Sequence, residues 1–267
     1  MDGVTELVVS TPAELLELAT KLGRHVFRGQ GGNWPLEPSL HRAFGRWDVR
    51  DSFREERERD LIRAFQRRAH HYISDPPGYD DLVEWCALLQ HHGGPTRFLD
   101  VTASLFVATY FAVEDSLDDG IVWAFGQAPL TESSEPADLP TRSNPNMARC
   151  NEMLEGRMRW EGALLVTPFR MNERLAAQQG AFLVPGSVTM PLVQHLAATY
   201  ESAGWRPHAR QPVDGIGGPQ ILKLRLPRSC HSQVMRFLAK VNVTAASLFN
   251  GIEGYARALR TMLRVFD

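Results

Sequence analysis

Apolar positions Leu15, Leu18, Ala19 and Leu22 recur at helical spacing, and Gly23 supplies a stop. Ahead of them stand Thr11, Pro12 and Glu14, the pattern of a capping box with proline at the first helical position. His25 to Gln30 predicts a short strand, ended by Gly31-Gly32. A long helix is expected over 52–73 and another over 82–90, the second broken by Gly93-Gly94-Pro95. Arg97 to Asp100 reads as extended. A helix over 103–113, capped by Asp100 or Thr102, is apolar nearly all round and is expected to be buried. Further strands are expected over 120–125, 163–167, 181–184 and 220–226, with a helical turn over 173–177 and a helix over 189–203. Ile252, Tyr255, Ala256, Leu259, Leu263 and Phe266 share one face of a tail helix. Runs rich in Pro, Gly, Ser and acids at 127–150 and 204–219 read as exposed loops. No internal repeat is visible. The order of elements predicts one α+β domain over 1–267 rather than a doubly wound array.

Composition changes this picture in only one respect. The chain has 267 residues, 43% of them hydrophobic and 22% charged, with a formal net charge of −2. That excludes a disordered chain, a fibrous repeat and a small disulfide scaffold. Cys86, Cys150 and Cys230 lie far apart without paired-ligand spacing, so neither a disulfide framework nor a metal site is expected. No targeting pattern or long apolar run is present, so a soluble cytoplasmic protein without a membrane partner is expected. The neutral total, however, hides a polarity. Residues 206–264 carry ten basic side chains against Asp214 and Glu253 alone, whereas 114–138 hold seven acids and no base. A basic C-terminal region suits a nucleic-acid or protein acceptor; the bland alternative is a solvated surface with structural arginines. Nine arginines between 42 and 70 sit among six acids and read as a self-paired helix surface.

No Gly-rich dinucleotide fingerprint, P-loop, zincin or nucleophile-elbow motif occurs. Three polar clusters remain. Phe27-Arg28-Gly29-Gln30 places a guanidinium on a strand beside glycines that admit a ligand, which suits an anion, or else Arg28 ties the strand to a loop. Gln90 to Thr102 gathers His91, Thr96, Arg97, Asp100 and Thr102 ahead of the buried helix, either lining a cleft or capping that helix. Arg174 and Gln178 share a helical face just before Gln179 and the next strand, with helix-end capping as the alternative.

These clusters resemble the FRG-domain family, a bacterial family named for its Phe/Tyr-Arg-Gly motif. The resembling blocks are Phe27 to Gln30 with Trp34 and Pro38-Ser39-Leu40, Leu89 to Thr102 with Ala108 to Ala112, Ala177 to Phe182, and Ser247 to Gly254. In the last, Asn250 and Gly251 replace the family's more usual proline and aspartate. More distantly, Arg28-Gly29 followed by Thr102 before a helix is similar to ADP-ribosyltransferases of the arginine-serine-glutamate type. That resemblance implies a central split antiparallel or mixed sheet flanked by helices. It also implies NAD as substrate, with Arg28 on the pyrophosphate and Thr102 positioning the nicotinamide ribose. Gly29, Gln30, Thr96, Arg97, Asp100 and Arg174 are candidates for contacting NAD. The strand expected to open with a catalytic glutamate opens instead with Gln178-Gln179, and an amide cannot act as a base. Glu161, Glu253, Asp100 or His91 would then serve, or the site binds without catalysis. The two readings are an NAD-consuming ADP-ribosyltransferase, of the kind found in toxins or phage defence, and a non-catalytic nucleotide- or nucleic-acid-binding module.

Overall fold

The computed structural model describes residues 4–131, 145–204 and 221–265. In chain order the elements are β1 (Thr5–Val8), α1 (Pro12–Lys21), β2 (His25–Gln30), α2 (Ser39–Arg46), α3 (Asp51–Ala69) and α4 (Leu82–His91). There follow β3 (Leu99–Thr102), α5 (Leu105–Val113), β4 (Gly120–Gly126), α6 (Pro145–Glu155), β5 (Ala163–Val166) and α7 (Glu173–Ala177). The chain continues through β6 (Gly180–Pro185), α8 (Leu192–Ser202), β7 (Ile221–Leu226), α9 (His231–Lys240), α10 (Ala245–Leu248) and α11 (Gly251–Val265).

The strands form one seven-stranded mixed sheet in the order β1-β7-β4-β2-β3-β6-β5, flanked by helices. Only β1 and β7 pair parallel; the other described pairs are antiparallel. The sheet is therefore continuous rather than split. Its weak point lies between β2 and β3, which meet at the single pair Phe27↔Thr102, whereas β2 pairs with β4 along its whole length, from His25↔Gly126 to Gln30↔Ile121. Beyond that one pair the two strands splay, and the gap becomes a cleft.

Alternation along β4 explains why every residue of it is buried. Val122 and Ala124 face a core built with α1, α5 and α9, while Ile121, Trp123 and Phe125 face a second core under α8. On the far side of the splay, Phe182 and Val184 of β6 pack with Trp85, Cys86 and Phe98 in a third core beneath α3, α4 and α6. α5 is buried as its composition predicts, but its cap is Ser104, whose Oγ accepts from the Val107 amide at 3.3 Å. Neither Asp100 nor Thr102 caps it, because both belong to β3. α5 lies directly on β2: a Cβ added at Gly29 would sit 1.8 Å from the Ala108 carbonyl oxygen. The glycine of the motif thus admits the α5 backbone on one side of β2 while its own backbone lines the cleft. Gly29→Ala is expected to lower unfolding stability by about 1–3 kcal/mol, read from urea denaturation.

Several expectations need correction. The 127–150 run is not one exposed loop: Leu130 is fully buried, and α6 begins at Pro145 and buries Met147 and Cys150. Its middle, 132–144, and the 204–219 run beyond Gly204 lie outside the described residues. β1, α2, α9 and α10 are additions to the sequence expectation. α3 is not self-paired throughout, since Glu58 is buried and Glu55 pairs with Arg159 at 3.6 Å. The apolar stripe of α11 faces solvent, with Ile252 78%, Tyr255 58% and Leu259 45% exposed.

Burial at the start of β2 creates an acid sensitivity. His25 is 8% exposed, and desolvation holds its imidazole down to about 4, outweighing the Leu22 backbone group that favours the charged ring. The unfolded chain takes up that proton near pH 6.5, whereas the folded one resists until about 4. Stability contributed by neutral His25 is therefore complete above pH 6.5 and lost as the pH falls toward 4, a change of about 3 kcal/mol. In His25→Phe the fall in unfolding free energy over that window should be shallower, as followed by urea titrations at stepped pH.

Candidate functional site

The cleft at the splay has a volume of about 540 Å³. It collects side chains from three separated stretches of sequence. β2 supplies Arg28, Gln30 and the backbone of Gly29; β3 supplies Asp100 and Thr102; the turn after α7 supplies Gln178, with Arg174 one helical turn earlier. The segment between β2 and α2 adds Trp34, Pro35 and Glu37, and α2 adds Arg42. The walls are thus partly aromatic, and three arginines, Arg28, Arg42 and Arg174, outnumber the two carboxylates of Glu37 and Asp100, which suits a nucleotide-sized anion.

Arg28 bridges the gap between the strands. Its Nη1 donates to the Asp100 main-chain carbonyl at 3.0 Å and lies 3.7 Å from the Asp100 carboxylate. Its buried Nε has no hydrogen-bond partner among the described residues. Burial lowers the guanidinium's proton affinity, the Asp100 charge opposes this, and the nearby Arg42 charge adds to it. An arginine remains charged under such pressure. Two mutually repelling cations beside an unsatisfied N–H are stabilised by an anion placed between them.

The rim opposite is braced from the C-terminal part of the chain. Thr102 Oγ1 donates to the Gln178 carbonyl at 2.7 Å and accepts from the Ser104 amide at 3.0 Å. The Gln178 side-chain amide donates to the Leu248 carbonyl at 3.1 Å. Arg174 lies over the Phe249 ring at 5.0 Å, and Arg257, paired with Glu114, lies over the same ring at 4.3 Å. Phe249 therefore orients Arg174 from outside the cleft.

A small adjoining hollow carries His91 beside Gln90, Asn172 and Arg174, and shares Asp100 and Gln178 with the cleft. Gln90 Nε2 donates to Asp100 Oδ1 at 2.8 Å, which fixes the carboxylate. Burial lowers the His91 pKa, and the neighbouring His92 and Arg174 charges lower it further.

Other sequence candidates stand elsewhere. Arg97 is 3% exposed and forms a bidentate pair with Glu58; Thr96 is buried and bonds Gln90 and Ser39. Both are enclosed by the third core and α2, so neither lines the cleft. Gln179 takes a positive φ of 49° at the α7–β6 turn and is exposed. Glu253 is exposed on α11, and Glu161 lines a separate hollow with Ser187 and Trp160. Glu37 and Arg42 stand outside the polar clusters that the sequence marks, and Phe249 enters there only as part of the Ser247 to Gly254 block. In the sequence Arg42 belongs to an arginine run, while its place three residues after Ser39 on α2 sets it in the cleft lining.

The basic C-terminal region is partly neutralised by the acidic stretch. The Arg225 guanidinium pairs with Asp119 and Arg257 with Glu114, while Arg228 gives Asp119 only its main-chain amide and directs its Nη1 to the Ser116 carbonyl; outside that stretch, Lys223 pairs with Glu6. Among the described residues no group of three or more His, Cys, Asp or Glu is placed to hold a metal ion, and no helix is long and apolar enough to cross a membrane.

The family model of the FRG domain matches residues 23–120. The match runs from just before β2 to the first residue of β4, so it contains Arg28, Arg42, Asp100 and Thr102 but not Arg174, Gln178 or Phe249. No curated protein and no solved structure matches the chain.

Proposed function

We propose that the cleft binds NAD and that the protein is an ADP-ribosyltransferase-like enzyme, transferring ADP-ribose to a nucleic-acid or protein acceptor. The observation that carries this reading is the Arg28 side chain, which lines the cleft 26% exposed, with a buried Nε–H that has no partner among the described residues and with Arg42 close enough to oppose its charge. A pyrophosphate would satisfy both groups. The succession of arginine strand, threonine strand and glutamine turn around one cleft supports the transferase analogy. Asp100 replaces the missing glutamate, because Gln178 carries no charge and is committed to Leu248.

In the reaction, the bond between ribose C1′ and the nicotinamide nitrogen breaks, and its electron pair leaves with neutral nicotinamide. The cationic ribose is stabilised by the Asp100 carboxylate, itself oriented by Gln90. An acceptor hydroxyl, amide or ring nitrogen then attacks C1′. Its proton passes to His91, which the lowered pKa keeps neutral at pH 7. No metal enters this scheme.

The test is release of nicotinamide from NAD labelled in that ring, with the protein mixed with cell extract, DNA or RNA. Release that requires Asp100 supports transfer. Saturable NAD binding without release under all those conditions favours the second reading, a non-catalytic nucleotide-binding module, for which the uncharged Gln178 is the specific supporting observation.

A further inference from the structure

We infer that the outer face of α11 pairs, antiparallel and about a two-fold axis, with the same face of a second copy of this chain. An amphipathic helix on a folded protein ordinarily turns its apolar stripe inward. α11 does the reverse. Its inward side is made by Gly254, which is buried, and by Arg257 and Ala258, with Arg257 held on Glu114. A Cβ at Gly254 would sit 1.7 Å from the Phe249 carbonyl oxygen, so this side approaches the preceding turn closely. At about 100° per residue, Ile252, Tyr255, Ala256 and Leu259 fall on the opposite side. The three large ones are 78%, 58% and 45% exposed. Their spacing of three and then four residues is that of a helix–helix seam.

Charge placement selects the occupant. Glu253 and Arg260 lie seven residues apart on one flank of the stripe, both exposed and neither with a partner among the described residues. When two identical helices pack antiparallel, a given flank of one meets the same flank of the other in reverse order. Glu253 of each copy then stands near Arg260 of its mate, while Ile252 and Leu259 exchange places across the seam. A two-fold pairing centred near Ala256 therefore satisfies the apolar stripe and both charges at once. A single helix pair buries less than the roughly 1,200 Å² of a standard interface, so the dimer should dissociate on dilution.

Sedimentation equilibrium of the full chain tests this. Wild type should show a reversible monomer–dimer equilibrium. Leu259→Glu should weaken it at least about tenfold without altering the melting temperature, since Leu259 is half exposed in the single chain. Glu253→Arg and Arg260→Glu should each weaken self-association about tenfold, and mixing these two variants in equal amounts should restore it, because each supplies the charges the other lacks. Wild type that stays monomeric up to ~1 mM overturns the proposal. So does a dimer indifferent to Leu259→Glu, or one that the two charge variants fail to rebuild on mixing. Flotation of monomeric chain with anionic vesicles, lost in Leu259→Glu, would overturn it too and assign the face to a membrane surface.

Discussion

Glu58→Ala is expected to lower unfolding stability by about 3–5 kcal/mol, enough to threaten folding in a protein of ordinary marginal stability. Glu58 and Arg97 are each 3% exposed at the side chain. Arg97 Nε donates to Glu58 Oε1 at 2.7 Å, its Nη2 to the other carboxylate oxygen, and its Nη1 to the Pro185 carbonyl at 3.3 Å. Burial alone would lower the arginine's proton affinity, but the Glu58 charge and hydrogen bond overcome it and raise the value. One pair thus joins α3, the lead into β3 and the end of β6. Truncating Glu58 leaves a guanidinium buried without its counter-ion, and this uncompensated charge dominates the loss. Replacing both partners by methionine removes both charges and should be markedly less damaging than Glu58→Ala. Urea denaturation of wild type and the two variants checks the order, and a loss below about 1 kcal/mol for Glu58→Ala would mean that water reaches the pair.

Asp100→Asn should lower the rate of nicotinamide release by about 10²–10³-fold while changing NAD affinity little. The substitution keeps the shape and an oxygen that can accept from Gln90, and removes only the negative charge facing the developing cation. A fall confined to kcat fits a group that acts on the transition state; a matching rise in KM would make Asp100 a binding residue instead. Glu37, also in the cleft, is the control: Glu37→Gln should leave kcat within a few-fold if Asp100 is the carboxylate that matters.

Apart from β1, the strands of the sheet and the buried α5 are legible because their apolar runs report burial directly, and β4, buried at every position, is the clearest case. The capping box of α1 is present as read, with Glu14 accepting from the Ser10 and Thr11 amides. The convergence of Arg28, Thr102 and Gln178 on one cleft is not legible in the sequence, because strand order across 150 residues of chain leaves no local signal. Arg97 and Glu58 show the opposite failure. Arg97 sits in the most polar run and Glu58 in a helix of alternating charge, yet each is buried by the other, a long-range pairing that i to i+4 reasoning cannot detect. The same holds for the C-terminal charges. Counted along the chain they form a basic block, but folding lays Asp119 against Arg225 and Glu114 against Arg257. Gly29 shows a further limit: sequence cannot say which backbone comes close to a glycine, and here that of α5 does.

The most direct measurement is calorimetric titration of NAD into wild type and into Arg28→Ala, with thermal melts confirming that both are folded. Wild type should bind at one saturable site, and loss of the charged hydrogen bonds of Arg28 should weaken binding at least ~10-fold. Absence of NAD binding by wild type, or equal binding by a folded Arg28→Ala, would contradict the assignment of the cleft.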